Sequence, residues 1–266
     1  MSILTSKKFQ KYFVPGIVFQ SCVIAGGYGT GRELVEYFMG YGPAGGCLAM
    51  CIVSLLTWSV IAGISFAFAW TFKKFDYKSF MKELMGPGWI AFEVAYIILI
   101  LIILGVVEAS AGSILSELFG LNKWVGIIGM AVAVFLLVIN GSEMIEKVLS
   151  AWSFVLYGVY ILFLILTFVN FGKDIGNNFA SVPVQGNWAV GGFQYAFYNL
   201  AIIAGVLYTV KHSESPKDAG IAGFIAGIIG IVPGIILFIA MCGFYPAIID
   251  QELPVDYILT QMNMPW

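Results

Sequence analysis

The sequence predicts an all-α protein, a polytopic bundle of membrane-spanning helices. Of its 266 residues, 60% are apolar and only 11% are charged, whereas water-soluble domains carry roughly 25% charged residues. The mean hydropathy is +0.94, and the apolar residues form continuous runs, which argues against a transmembrane β-barrel. This composition excludes a soluble enzyme and a disordered chain, and a net charge of -2 gives no reason to expect nucleic-acid binding.

Seven apolar runs are candidates for crossing the hydrocarbon core, which takes about 20 helical residues. They lie at residues 14–39, 44–72, 88–119, 124–139, 147–170, 190–210 and 219–245. If these spans alternate in direction, one side of the membrane holds ten of the 13 cationic residues, namely Lys7, Lys8, Lys11, Lys73, Lys74, Lys78, Lys82, Lys147, Lys211 and Lys217. Because cationic loops stay on the cytoplasmic side, we expect a multi-pass membrane protein with its N-terminus in the cytoplasm.

The first span is interrupted by residues 25–33, which read Ala-Gly-Gly-Tyr-Gly-Thr-Gly-Arg-Glu. Four glycines and two adjacent charges make a continuous helix costly in lipid. Irregular backbone survives in a membrane only where protein encloses it or it lines a watery cavity. We therefore expect the helix to open near the bilayer midplane, between half-helices at residues 15–25 and 30–40. The alternative is an unbroken helix in which Gly27 and Gly31 form a GxxxG packing face.

An opened helix offers free carbonyl groups on one half and free N–H groups on the other. Cations bind at the carbonyl end and carboxylates at the N–H end. The predicted substrate-binding residues at the break are Gly27, Gly29, Thr30 and Gly31, and the amides of the last three would hold a carboxylate. The predicted cation ligands are the carbonyl groups from Val23 to Gly26.

A second polar interruption lies in the sixth span. Tyr198 and Asn199 stand inside this apolar run, and we expect both to face the same cavity as the first break and to bind substrate. The alternative is a belt of aromatic residues at the outer membrane interface. That alternative suits Tyr195 better than the other two residues, which are expected to lie deeper.

Ionisable residues inside the spans are the remaining candidates, because a charge in hydrocarbon is costly unless it is paired, hydrated or neutralised. Glu108 lies well inside the third span, so it is the first candidate for proton coupling and for contact with a cationic substrate group. Glu33 is the second candidate for ion coupling. Arg32 and Glu36 are one helical turn apart and are expected to form a structural ion pair.

No other chemistry is indicated by the sequence. The four cysteines all lie in or beside apolar segments, and there is one histidine. The sequence therefore predicts no metal site, no cofactor and no enzymatic activity.

The segment at residues 25–38 (AGGYGTGRELVEYF), together with YAFYNL at residues 195–200, resembles the YkvI-type bacterial membrane proteins. These in turn resemble the amino acid/polyamine/organocation transporter superfamily, which has the LeuT-like fold. The resemblance implies a first five-helix repeat at residues 1–170, an external connection at 171–189 and an inverted second repeat at 190–266. Substrate would lie between discontinuous first and sixth spans, and the protein would lie in a bacterial cytoplasmic (plasma) membrane.

The implied second repeat is incomplete, since 190–266 holds only spans six and seven and an external amphipathic tail. Counterparts of spans eight to ten are expected to be missing because the chain is a truncation or a reduced form, or because a homo-oligomer or a partner protein supplies those helices. The expected function is symport: secondary active transport of a small polar metabolite, an amino acid or related zwitterion, coupled to protons or sodium. The alternative is a non-transporting membrane receptor or assembly subunit that retains a ligand cavity.

Overall fold

The computed structural model describes the chain from residue 6 to residue 262, with all side chains except those at 25–27, 117, 118, 142, 143, 146, 149, 150 and 153. Between residues 6 and 262 the chain forms α-helices, short 3₁₀ turns and one π-helical stretch, and no β-strand. The predicted all-α class is therefore confirmed.

The described range contains thirteen α-helices. Their bounds are α1 Lys7–Tyr12, α2 Val14–Gly27, α3 Arg32–Phe38, α4 Gly42–Leu48, α5 Leu55–Phe72, α6 Tyr77–Met85, α7 Trp89–Phe119, α8 Lys123–Ile139, α9 Ser142–Ser181, α10 Trp188–Leu200, α11 Ile203–Val206, α12 Pro216–Met241 and α13 Pro254–Gln261. All except α1, α6 and α13 fall largely within the seven predicted apolar runs. A π-helical turn, Ala49–Ser54, joins α4 to α5.

In the described part of the chain, four helical segments are long and apolar enough to cross a membrane, or five if a bent pair counts as one span. The four are Arg32–Phe72, Tyr77–Ser116, Phe154–Ser181 and Pro216–Phe244, and the bent pair is Trp188–Leu200 with Ile203–His212. These helices support a membrane-embedded bundle. The predicted first and fourth spans correspond to shorter apolar helices, Val14–Ile24 and Lys123–Ile139, so the count of seven spans stays a prediction.

Helix α12 lies at the centre of the bundle and packs against α2, α5 and α9. Its glycines allow the close approach: a methyl group at Gly234 would stand 2.6 Å from the Tyr28 hydroxyl, and one at Gly227 would collide with the backbone of Ser59. In lipid, helices associate through such tight packing of small residues rather than through a hydrophobic driving force. We call α2, α5, α10 and α12 the central bundle.

Two hydrogen bonds fix α10 against the chain from Ser54 to Trp58. The Ser54 hydroxyl donates to the carbonyl of Gly192 at 2.9 Å, and the indole N–H of Trp58 donates to the carbonyl of Ala196 at 3.1 Å. Trp58 is fully buried. These bonds hold the polar part of α10 next to α2 and α3.

Helices α7 and α8 form a hairpin that stands largely apart from the central bundle. The pair is tight where Gly112 and Gly126 cross, since a side chain at Gly126 would collide with the backbone of α7. Elsewhere large apolar side chains are exposed, such as Leu101 at 64% and Phe135 at 63%. This surface fits contact with lipid tails.

The predicted external connection at residues 171–189 is mostly helical. Helix α9 bends at Phe171, where the backbone angles leave the helical region, and then continues to Ser181. The side-chain amide of Asn178 donates to the carbonyl of Cys242 at 2.9 Å, which ties this extension to the end of α12. Only residues 182–187 are irregular.

Candidate substrate site at the interrupted helices

The first span is interrupted between α2 and α3, at residues 28–31. Gly31 has a φ of +78°, in the left-handed region that disfavours residues with a side chain. The hydroxyl of Thr30 accepts a hydrogen bond from the Arg32 N–H at 3.3 Å, which supports the start of α3. An unbroken GxxxG helix is therefore excluded.

The break lies further along the span than the sequence predicts. Helix α2 has 14 residues and α3 has seven, which gives lengths of roughly 21 Å and 10 Å. The predicted end of the first half-helix at residue 25 is wrong, because the helix stays wound through Gly26 and Gly27; the position of the break at the bilayer midplane stays a prediction. Only the last four carbonyls of a helix lack an internal partner, so the Val23 carbonyl lies within the helical ladder and is no free cation ligand.

The chain that follows α12 covers the break. The Val255 N–H donates to the carbonyl of Thr30 at 3.1 Å, and a side chain added at Gly31 would touch Val255 and Met241. Gly31 is buried, whereas Gly29 is exposed and Thr30 is half-buried. Of the predicted carboxylate-binding amides, those of Gly29 and Thr30 therefore lie on the open side of the break.

Arg32 fastens this covering segment to α3. Its guanidinium group donates to the carbonyls of Ile249 and Gln251 at 3.2 and 3.0 Å and pairs with the Glu36 carboxylate at 3.0 Å. The predicted Arg32–Glu36 ion pair is present. Both partners are exposed, so the pair contributes little free energy by itself. Its role follows from its position at the break, where Arg32 also holds the covering segment.

Four tyrosines and one carboxylate lie together beside the break. We call Tyr28, Glu33, Tyr37, Tyr195 and Tyr198 the tyrosine–glutamate cluster. The ring of Tyr195 lies 6.3 Å from that of Tyr28 and 5.4 Å from that of Tyr37, and the rings of Tyr37 and Tyr198 are 6.3 Å apart. The Tyr198 hydroxyl lies next to the Glu33 carboxyl group. The cluster thus joins the first interrupted span to α10.

Three polar atoms of this cluster are buried without a hydrogen-bond partner. They are the hydroxyls of Tyr28 and Tyr195 and one carboxylate oxygen of Glu33. The two hydroxyls are near each other but do not meet hydrogen-bond geometry. An unsatisfied polar group in an apolar environment costs several kcal/mol, so these atoms mark a place where water or a polar ligand belongs.

The second interruption follows directly after Asn199. Helix α10 ends at Leu200, and the next helical segment begins at Ile203, bent by 40°. The buried Asn199 side chain donates to the carbonyl of Tyr195 at 3.1 Å. Asn199 therefore holds the last turn of α10, while Tyr198 faces the Glu33 carboxyl group.

Glu108 is not joined to this cluster. It lies half-exposed on α7, and in the part of the chain that the structure describes no hydrogen bond or ion pair links it to the break. Glu33 is the carboxylate that the fold brings to the site.

Sequence reasoning missed Tyr195, Tyr28 and Tyr37. The sequence left an interfacial position open for Tyr195, but this residue is fully buried between Tyr28 and Trp58. The signal was the spacing: Tyr195 and Asn199 are four residues apart and share one helix face, so burial of one implied burial of the other.

A second set of contacts closes the opposite end of α2. The Lys11 ammonium pairs with Asp218 at 2.9 Å and with Glu214 at 3.1 Å, and the Tyr12 hydroxyl donates to Asp218 at 2.7 Å. The hydrogen bond to Asp218 raises the pKa of Lys11 above its ordinary value, so this ion pair persists through neutral pH. Polar contacts thus close the bundle on both sides of the cluster.

Comparisons with models of protein families, with curated proteins and with solved structures found no match to this chain.

Proposed function

We propose that the protein is a secondary active transporter of a small polar metabolite, an amino acid or related zwitterion, that works by alternating access and is driven by a proton or sodium gradient. The observation that carries the proposal is the tyrosine–glutamate cluster at two interrupted helices, with three buried polar atoms that lack partners. Transporters commonly bind substrate where discontinuous helices meet.

The cluster supplies groups of both kinds that a zwitterion needs. The Glu33 carboxylate and the tyrosine ring faces suit an ammonium group. The exposed backbone at Gly29 and the half-buried Thr30 suit a carboxylate. Because Tyr28 and Tyr195 are fully buried, substrate enters only if the rings move, and this described conformation corresponds to a closed state.

Alternating access would open one closed end at a time. On one side the contacts to break are those of Arg32 with Ile249 and Gln251, and on the other those of Lys11 with Glu214 and Asp218. A gradient-driven cycle needs a group that changes charge inside the bundle, and Glu33 is that group in this proposal.

The proposal is tested by uptake of labelled amino acids into proteoliposomes with imposed proton or sodium gradients. We expect gradient-dependent uptake by the wild type, loss of that uptake in Glu33→Gln, and normal uptake in Glu83→Gln, which removes a carboxylate on α6 far from the cluster. Absence of uptake for every amino acid and gradient would refute the transporter.

The alternative function, a non-transporting receptor or assembly subunit, predicts a different result for the same preparation. An amino acid would then raise the thermal stability of the wild type but not of Glu33→Gln, with no flux under any gradient. Measurement of both binding and flux therefore separates the two functions.

A further inference from the structure

An apolar groove of about 720 Å³ runs beside the helix break, between α7, α9, α12 and α13. This volume lies within the roughly 300–1,000 Å³ of typical ligand sites. Its walls are apolar side chains, including Val159, Phe163 and Leu237, and it reaches Gly29 and Thr30. The groove is therefore large enough to hold a ligand.

The dimensions of the groove match one hydrocarbon chain. Along α9 it extends from Leu156 to Leu166, a rise of ten helical steps or roughly 15 Å. One leaflet is half of a hydrocarbon core of about 30 Å. Val159 and Leu162 are more than half exposed, so the groove opens sideways to the hydrocarbon.

One end of the groove is polar and acidic. Leu253, Asp256 and Thr260 also line a second cleft of about 370 Å³ that contains Asp250 and Glu252. Within the described chain none of the three carboxylates has an ion-pair partner. The apolar groove thus continues into this acidic cleft, which favours binding of a positively charged group. We call the cleft the acidic mouth of the groove.

A cation borders this acidic mouth. Arg32 donates a hydrogen bond to the carbonyl of Gln251, which lines the cleft, and its side chain is 45% exposed. A phosphate group next to Arg32 and an ammonium group next to the carboxylates would match this distribution of charge. An anionic headgroup without an ammonium group would meet the three carboxylates unpaired.

We propose that this groove binds one acyl chain of an ethanolamine phospholipid, with the ammonium group of its headgroup at Asp250, Glu252 and Asp256. A primary ammonium donates hydrogen bonds to carboxylates, which a quaternary choline group cannot do. The lipid site borders the proposed substrate site, because its occupant would pack against the break at Gly29 and Thr30.

The test is lipid binding by the delipidated full chain, measured by native mass spectrometry and by thermal unfolding. The added lipids are phosphatidylethanolamine, phosphatidylcholine and phosphatidylglycerol with identical acyl chains. We expect one retained phosphatidylethanolamine that raises the unfolding temperature. Phosphatidylcholine should bind about tenfold more weakly, as loss of charge-assisted hydrogen bonds implies, and phosphatidylglycerol more weakly still.

Two variants separate the groove from its mouth. Val159→Trp fills the groove and should abolish retention of the lipid, while Val132→Trp, a matched change at an exposed position on α8, should not. Asp256→Asn conserves shape and should reduce the preference for ethanolamine over choline. Equal binding of the three lipids, unchanged retention in Val159→Trp, or an unchanged preference in Asp256→Asn would each overturn the proposal.

Discussion

The central bundle and the α7–α8 hairpin have the same apolar composition but opposite environments. In the most apolar part of α12, 56% of the residues are buried inside the protein, whereas in the corresponding part of Tyr77–Ser116 none is. Apolar side chains therefore do not distinguish the protein interior from the lipid-facing surface. The same apolar residue types fill the packed centre of the bundle and form the exposed surface of the hairpin.

Glycine spacing distinguishes the two regions. Helix α12 presents glycines at 220, 223, 227, 230 and 234, and side chains at the last four would collide with or press closely on α2 or α5. Gly105 and Gly129 of the hairpin have no atom within 4 Å of an added side chain, and the hairpin is tight at Gly112 and Gly126, where its own two helices cross. Where lipid competes equally for apolar surface, close backbone approach is what creates a protein interior.

The largest difference in stability loss between the two regions is expected when a tryptophan is truncated to alanine. Trp58→Ala removes a fully buried ring that contacts Phe19 and Tyr195 and donates a hydrogen bond to Ala196. We expect the free energy of unfolding in micelles to fall by about 3 kcal/mol, the lower end for such truncations, because in lipid the loss is of packing more than of transfer from water.

Trp124→Ala is the matched control on the hairpin, because its ring is 66% exposed. We expect a change within about 0.5 kcal/mol. Equal losses from the two truncations would contradict the division into a packed centre and a lipid-facing hairpin.

A smaller difference in stability between the two regions is expected when a glycine in each is replaced by alanine. Gly227→Ala forces a carbon against the Ser59 backbone, which should destabilise by roughly 1–3 kcal/mol through overpacking. Gly129→Ala enters open space, and should be neutral or should stabilise by up to about 1 kcal/mol through helix propensity. Reversible unfolding in mixed micelles would measure both, and a neutral Gly227→Ala would refute the close α5–α12 contact.

The smallest change in stability is expected for α6, the helix that links the two regions. Asp76 caps this helix by accepting a hydrogen bond from the Ser79 N–H at 2.9 Å. Hydrogen bonds from the Ser79 hydroxyl and backbone lower the pKa of Asp76. The cap therefore adds stability above the ordinary aspartate pKa of about 3.9 and loses it as pH falls through the lower folded-state value.

We accordingly expect Asp76→Ala to destabilise by about 1 kcal/mol at pH 7, and the gap to the wild type to shrink as pH falls below about 4. Asp76→Asn, which retains a capping oxygen, should lack this pH dependence. Unfolding of the three proteins between pH 3 and 7 measures the effect, and a constant gap would show that the charge of Asp76 plays no part.

The long helices were predictable because a membrane requires long continuous apolar runs, although α9 continues past the predicted end at residue 170 to Ser181. The break at residues 28–31 was predictable from four glycines beside Arg32 and Glu33. Its exact position was not, because local propensity cannot tell which glycines stay wound. Gly26 and Gly27 remain helical, and Gly31 takes the left-handed conformation.

The site was predictable only in part. Gly29, Thr30, Glu33 and Tyr198 do lie at or beside the break. Tyr195 and Tyr28 were missed because their burial depends on α10 and α12 packing across the first span, which periodicity does not reveal. Glu108 looked central because it is deep in its run, yet its helix belongs to the hairpin, and depth within a run says nothing about which side faces protein.

Amide hydrogen exchange of the protein in lipid nanodiscs tests the central claim most directly. The claim is that the first span is unwound at residues 28–31, while α8 is an intact helix although it is exposed to lipid. We predict that the amides at 28–31 exchange much faster than those of residues 130–136 in α8, and that a bound amino acid slows them. Equally slow exchange in the two segments would contradict the account, because it would mean a continuous hydrogen-bonded helix through the proposed site.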